Sequence, residues 1–128
     1  MPYIYPGAPQ LQRKIKAGNG DCVALVRAYG PLKNRPSSSW RQGAAVLNNS
    51  SIVPGTAIAT FVRGRYPNRA AGNHAAFFLR PGPGGFWVID QWKSKKLIEA
   101  RFIESKGKLA DGGYRSPSDN ADAFSIIE

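Results

Sequence analysis

The chain has 128 residues, a formal net charge of +10, 42% hydrophobic residues and one cysteine. That length suits a single domain, 1–128, with a modest core. One cysteine excludes an internal disulfide, and no apolar run approaches the ~18 residues of a membrane span. Met1-Pro-Tyr-Ile-Tyr-Pro-Gly7 shows neither the basic nor the apolar region of a secretory signal. Charge is unevenly placed: residues 1–98 contain only two acids, Asp21 and Asp90, and the other six lie from Glu99 to Glu128. Such a body favours a polyanionic partner: nucleic acid, an anionic membrane surface, or cell wall with free carboxylates.

In chain order, residues 1–10 read as extended and turn-rich, and Leu11–Lys16 as a short helix. Gly18-Asn19-Gly20 is a tight-turn signal. Asp21 is a good N-cap, and Cys22, Leu25, Val26 and Tyr29 follow at helical spacing until Gly30-Pro31 stops the run. Ser37-Ser38-Ser39 caps a short turn holding Trp40. After Pro54-Gly55 the period becomes two: strands are predicted over Thr56–Arg63, Asn73–Leu79 and Phe86–Trp92. Gly64–Gly72 is a polar loop, and Arg80–Gly85 a hairpin turn that lacks the Lys-Ser/Thr of a phosphate loop. Ala100–Glu104 and Ala123–Ile127 are further strand candidates. Helices first and then an antiparallel meander make an α+β domain.

Cys22 falls at the first helical position, where unpaired N–H groups and the macrodipole lower a thiol pKa. Side chains tilt toward the helix start, which brings the sulfur near those donors. His74, the only histidine, sits at the mouth of the second strand between Gly72 and Ala75-Ala76, which leave room for close packing. A thiol and an imidazole are the minimum for nucleophilic catalysis: the ring takes the thiol proton and returns it to a leaving amine. Either residue alone is ordinarily structural, the cysteine a buried hydrophobe and the histidine a surface or core group.

The residue orienting His74 is read as Asp90, since a charge inside an apolar strand needs a partner. Gln91 is the competitor. Strand parity separates them. Pairing Phe78 with Phe86 places Ala76 opposite Val88 and His74 opposite Asp90, whereas a slip of one residue brings Gln91 to that face. Asp21 is read as a helix cap, because a carboxylate beside the thiol opposes its ionisation. One Cys and one His do not make a usual zinc site, and no cofactor motif is present. Trp40, Tyr66, Trp87 and Trp92 are candidates to line a groove, with at least two in the core. Lys93–Lys96 reads as a solvated loop. The backbone N–H of Cys22 is the natural first oxyanion donor, and the second has no sequence signal.

Gly20-Asp-Cys-Val-Ala-Leu-Val26 resembles the nucleophile helix of bacterial cell-wall cysteine peptidases of the NlpC and CHAP types, and Gly72-Asn-His-Ala-Ala76 their histidine strand. Together with Gly55–Phe61, Gly64–Asn68, Asp90-Gln-Trp92 and Ser118–Phe124, these segments resemble the small amidase effectors of bacterial type VI secretion, most closely the third amidase effector family. The resemblance implies a papain-like fold and hydrolysis of peptidoglycan peptide bonds, with the D-alanine–meso-diaminopimelate cross-link expected. It also implies delivery by the secretion apparatus into a rival's periplasm without a signal peptide, and a cognate immunity protein blocking the cleft. Cys22 and His74 match the family's motif positions. Asp90 stays open against Gln91, since the fold class uses several residue types there.

The alternatives are a basic nucleic-acid-binding module or a non-catalytic cell-wall-binding domain, with structural Cys and His. Nucleic-acid binding calls for basic residues on one face with exposed aromatics. Here the basic residues are dispersed and no binding motif appears, so no nucleic acid partner is expected.

Overall fold

The computed structural model describes residues 2–67 and 69–128; Met1 and Asn68, the latter closing the Gly64–Asn68 segment, lie outside the described residues. Asp21 caps helix α1 (Cys22–Ala28) as expected, its carboxylate accepting from the Ala24 N–H at 2.8 Å. The helix ends before Gly30, whose φ of +74° leaves the helical region. Seven residues are too few to hold a helix by propensity. Packing holds it: Leu25 and Val26 are fully buried, worth about 1.5–3 kcal/mol each.

Six antiparallel strands follow: β1 (Gln42–Ala45), β2 (Ala57–Thr60), β3 (Ala75–Gly82), β4 (Gly85–Asp90), β5 (Glu99–Glu104) and β6 (Phe124–Ile127), in the sheet order β1-β6-β2-β3-β4-β5. The predicted meander is β2 to β5. The last strand returns to lie between β1 and β2. Side chains alternate between two cores. Leu25, Val26, Ala57, Ala59, Ala75, Phe77 and Ile89 pack on the helix side. Ile58, Ala76, Phe78, Phe86, Val88 and Phe124 pack on the other.

One predicted element is corrected and one unpredicted strand appears. Leu11–Lys16 is not a helix: a 3₁₀ turn covers Ala8–Leu11, Arg13 has a left-handed φ of +72°, and Ile15 bridges to Leu97. Hydrogen bonds from Arg13 N–H to Ile98 O (2.6 Å) and from Ile98 N–H to Lys14 O (2.9 Å) override the local spacing. Strand β1 had no signal in Gln-Gly-Ala-Ala; it forms because β6 offers it an edge. Ser37–Ser39 forms the expected short turn, as a 3₁₀ turn before the buried Trp40.

The β3–β4 register also differs from expectation. The turn is only Pro83-Gly84, closed by Gly82 opposite Gly85, and beside it Pro81 faces Phe86 and Arg80 faces Trp87. Between Phe78 and Arg80 the register shifts, and beyond it Phe78 faces Val88 and Phe77 faces Ile89. Phe78 therefore pairs two residues further along than expected. Because that displacement is even, the faces are those predicted: Asp90 shares the face of Ala76 and His74, and Gln91 takes the helix side.

Candidate active site

The backbone entering α1 is fastened from below by Gln91. Its Nε2 donates to Ala17 O (3.0 Å) and Asp21 O (2.7 Å), and its Oε1 accepts from Ala17 N–H (2.9 Å). Gln91 is fully buried, so these bonds fully occupy a side chain that would otherwise be costly there. The competitor for orienting the imidazole thus fixes the segment from which the thiol projects.

His74 is held at the mouth of β3 by Thr60: its N–H donates to Thr60 Oγ1 and its carbonyl accepts from Thr60 N–H, both at 3.0 Å. The ring lies edge-on to Trp92 and Phe124. Its Nε2 is 2.8 Å from Asp90 Oδ2. Asp90 faces Ala76 rather than His74, so the two are diagonal neighbours. Such pairs stand about 7–8 Å apart at the backbone, within reach of a ring. Asp90 is itself fully buried, with Lys95 Nζ on Oδ1 at 2.8 Å and Arg101 Nε on Oδ2 at 2.9 Å. Both cations also lie over the Trp92 ring, at 4.5 and 5.2 Å. Arg101 reaches on to Asp119 Oδ1 at 2.5 Å.

Lys93–Lys96 is therefore not simply a solvated loop: Lys95 turns inward as a counterion to Asp90, because a buried carboxylate without cations is too costly. Nothing in the local sequence separates Lys95 from its lysine neighbours. Thr60, Arg101 and Asn73 were likewise missed; only Asn73, beside His74, had a positional hint.

Burial opposes ionisation of Asp90, but the His74 hydrogen bond and charge, Arg101 and Lys95 outweigh it and hold the carboxyl at about 2. Asp90 is thus a pure acceptor at neutral pH, so His74 Nε2 donates to it and Nδ1 is left for the sulfur. Burial also pushes the Cys22 thiol up, yet the His74 hydrogen bond and charge, the Tyr66 hydroxyl and the Ala75 N–H together bring it below its ordinary value. His74 moves the opposite way: burial lowers it, and Asp90 and Cys22 more than restore it, leaving it raised. Both shifts favour a thiolate beside an imidazolium over the neutral pair.

Cys22, Tyr66, Asn73, His74, Trp92 and Asp119 lie along one open groove of about 640 Å³. Of the predicted groove aromatics, Tyr66 and Trp92 line it, Trp40 is in the core and Trp87 lies elsewhere. Among the described residues no group of three or more His, Cys, Asp or Glu is arranged to hold a metal ion, and no helix is long and apolar enough to cross a membrane.

A single helix docked on an antiparallel sheet, with a thiol at the helix start and an imidazole at a strand mouth, is a papain-like amidase fold. The chain belongs to the domesticated amidase effector 2 family, whose model matches residues 7–127. It is 47% identical over 135 aligned positions to the type VI secretion amidase effector 2 protein of Salmonella typhi, with the whole of both chains covered. A solved structure of a type 6 secretion amidase effector 2 superposes with a TM-score of 0.90 at 46% identity, covering 98% of this chain and 94% of that one. The resemblance to type VI amidase effectors holds, and the family number is corrected from three to two. The family-three reading rested on Gly55–Phe61, Gly64–Asn68, Asp90-Gln-Trp92 and Ser118–Phe124 with the Cys and His segments, and all of these lie within the residues that the family 2 model matches.

Proposed function

We propose that the protein is one peptidoglycan amidase domain, 1–128, acting through Cys22 as nucleophile, His74 as proton carrier and Asp90 as the residue that orients His74. The observation that supports this most is the buried Asp90 carboxylate 2.8 Å from His74 Nε2, with that imidazole and the Cys22 thiol lining one groove. The thiolate adds to a peptide carbonyl carbon, and the π pair moves to oxygen. The tetrahedral intermediate then collapses: the C–N bond breaks as the His74 imidazolium protonates the nitrogen, leaving a thioester. Water cleaves the thioester, giving its proton to His74 and releasing the thiolate and a carboxylic acid. The groove carries Arg69, Lys93 and Arg101 alongside Asp21 and Asp119. Mixed charge suits stem peptides that bear both carboxylates and amines.

The bond proposed is the D-alanine–meso-diaminopimelate cross-link. Mass spectrometry of muropeptides after digestion of purified peptidoglycan tests it, with Cys22→Ala as the blank. Cross-linked dimers should fall to monomers with intact stems; shortened stems would place the cut within a stem instead.

The thiolate–imidazolium pair has a pH signature. The lowered thiol and the raised imidazole both favour that pair. Activity should rise with pH as the thiol ionises and fall again as the imidazolium loses its proton. A kcat/KM profile measured on a cross-linked muropeptide dimer checks this. A profile rising only near pH 8.5, where a free thiol ionises, contradicts it.

Delivery by the secretion apparatus places the action in the target cell's periplasm. Export to the periplasm should therefore lyse cells that tolerate the protein in the cytoplasm, and equal toxicity in both compartments would point to another target. The partner proposed for self-protection is an immunity protein with an acidic contact surface that occludes the Cys22–His74 groove, steered by the +10 charge. An inhibitor bound elsewhere that leaves turnover intact contradicts it.

A further inference from the structure

The polar loop before His74 holds a hydroxyl that the scheme above does not use. Tyr66 Oη lies 3.7 Å from Cys22 Sγ. The residue is only 6% exposed, and its ring is wedged edge-on against buried Trp40 at 5.2 Å. Asn73 Nδ2 donates to Oη at 3.0 Å, while Asn73 Oδ1 accepts from Arg69 N–H at 2.9 Å. The second bond fixes which way the amide points. An amide nitrogen accepts nothing, so the phenol proton is not spent on Asn73. It is directed toward the sulfur and the groove that both side chains line.

Resting on Cys22 as the nucleophile, we propose that the Tyr66 hydroxyl is a catalytic donor that follows the negative charge: it hydrogen-bonds the thiolate before attack and the oxyanion of the tetrahedral intermediate after it, with Asn73 as its positioning residue. When Sγ adds to the carbonyl carbon, the charge moves from sulfur to an oxygen two bonds away. A donor already touching the sulfur, and anchored behind by Asn73, reaches that oxygen with little rearrangement. Tyr66 keeps its own O–H bond throughout; only the acceptor changes. Its phenol resists ionisation, since burial and the neighbouring Cys22 charge both push it up, so the proton remains available for donation. A preorganised donor in a site partly closed to water stabilises the transition state more than the ground state. The backbone N–H of Cys22 then has the second oxyanion donor that the sequence could not supply.

The test compares wild type, Tyr66→Phe, Asn73→Asp and Cys22→Ala on a purified cross-linked muropeptide dimer, and follows alkylation by iodoacetamide against pH. Tyr66→Phe removes one oxygen and keeps the ring against Trp40. Its kcat should fall about 10²-fold, with KM within about threefold of wild type, and its alkylation midpoint should move to higher pH. Asn73→Asp keeps the acceptor for Arg69 N–H but offers the phenol a carboxylate, drawing its proton away from the site. It should lose a comparable part of kcat, even at pH above its own alkylation midpoint, although the hydroxyl is still present. Tyr66→Phe with kcat within about threefold of wild type, or with an unmoved alkylation midpoint, overturns the proposal. If Tyr66→Phe does not fold, Asn73→Asp decides alone, and wild-type kcat there overturns it. Failure of the underlying reading is separately visible: Cys22→Ala would stay active, or the wild-type thiol would alkylate like free cysteine.

Discussion

Cys22→Ala should be a folded protein with turnover reduced on the order of 10⁴-fold or more. Cys22 is only half-buried and opens a helix whose cap, Asp21, is unchanged. Alanine is the best helix former, and the anchoring bonds of Gln91 go to Ala17 and Asp21 backbone atoms that the substitution leaves alone. What disappears is the sulfur. Cys22→Ser sharpens the point: it keeps nearly the same shape, but a hydroxyl is far harder to ionise than this lowered thiol, so it should be almost as inactive. Thermal melts should lie close to wild type for both. Turnover by Cys22→Ala within tenfold of wild type would falsify the cysteine mechanism.

Asp90→Ala should damage both activity and stability. The carboxylate accepts from His74, Lys95 and Arg101 at once. Without it the imidazole loses its orienting partner, an effect of about 10²–10⁴-fold in kcat where a triad acid is lost. The basic limb of the pH profile should move to lower pH, because Asp90 is, with Cys22, one of the two groups that raise His74. Lys95, with a side chain 9% exposed, loses its counterion, while Arg101 keeps Asp119. Removing one partner from a buried pair costs about 3–5 kcal/mol, and the shared cation places this case near the lower end. Asp90→Asn should separate the two roles. It keeps an oxygen for His74 Nε2–H but turns amide hydrogens toward a cation, so it should recover part of kcat and little of the stability.

The same carboxylate has a pH signature. Its folded value of about 2 lies below the ordinary 3.8. Its contribution to stability is therefore complete above about pH 4 and is lost as pH falls toward 2, roughly 2 kcal/mol in all. His74 is protonated in both folded and unfolded states in that window and adds no slope. Melting curves of wild type and Asp90→Ala should converge between pH 4 and pH 2; a gap that stays constant would remove Asp90 as the source.

Local chemistry in the sequence determined helix α1. Asp21, the spacing of Leu25 and Val26, and Gly30-Pro31 state its start, buried face and end within one dozen residues. Three meander strands and the two singletons Cys22 and His74 were legible for the same reason, since each signal is carried by neighbouring residues. Long-range partners were not. Tyr66 meets Cys22 from 44 positions away, Gln91 meets Asp21 from 70, and Lys95 looks identical to its neighbours until Asp90 is buried beside it. The choice between Asp90 and Gln91 shows the limit most sharply. Continued unchanged from the Pro83-Gly84 turn, the register would bring Gln91 to the face of His74. The shift between Phe78 and Arg80 moves the ladder by one residue, reverses every face beyond it and turns Asp90 toward the imidazole. Parity is a property of residues two apart and can be read from sequence; the bulge that sets its phase arises only when both strands are packed between the two cores, and only the tertiary structure decided it.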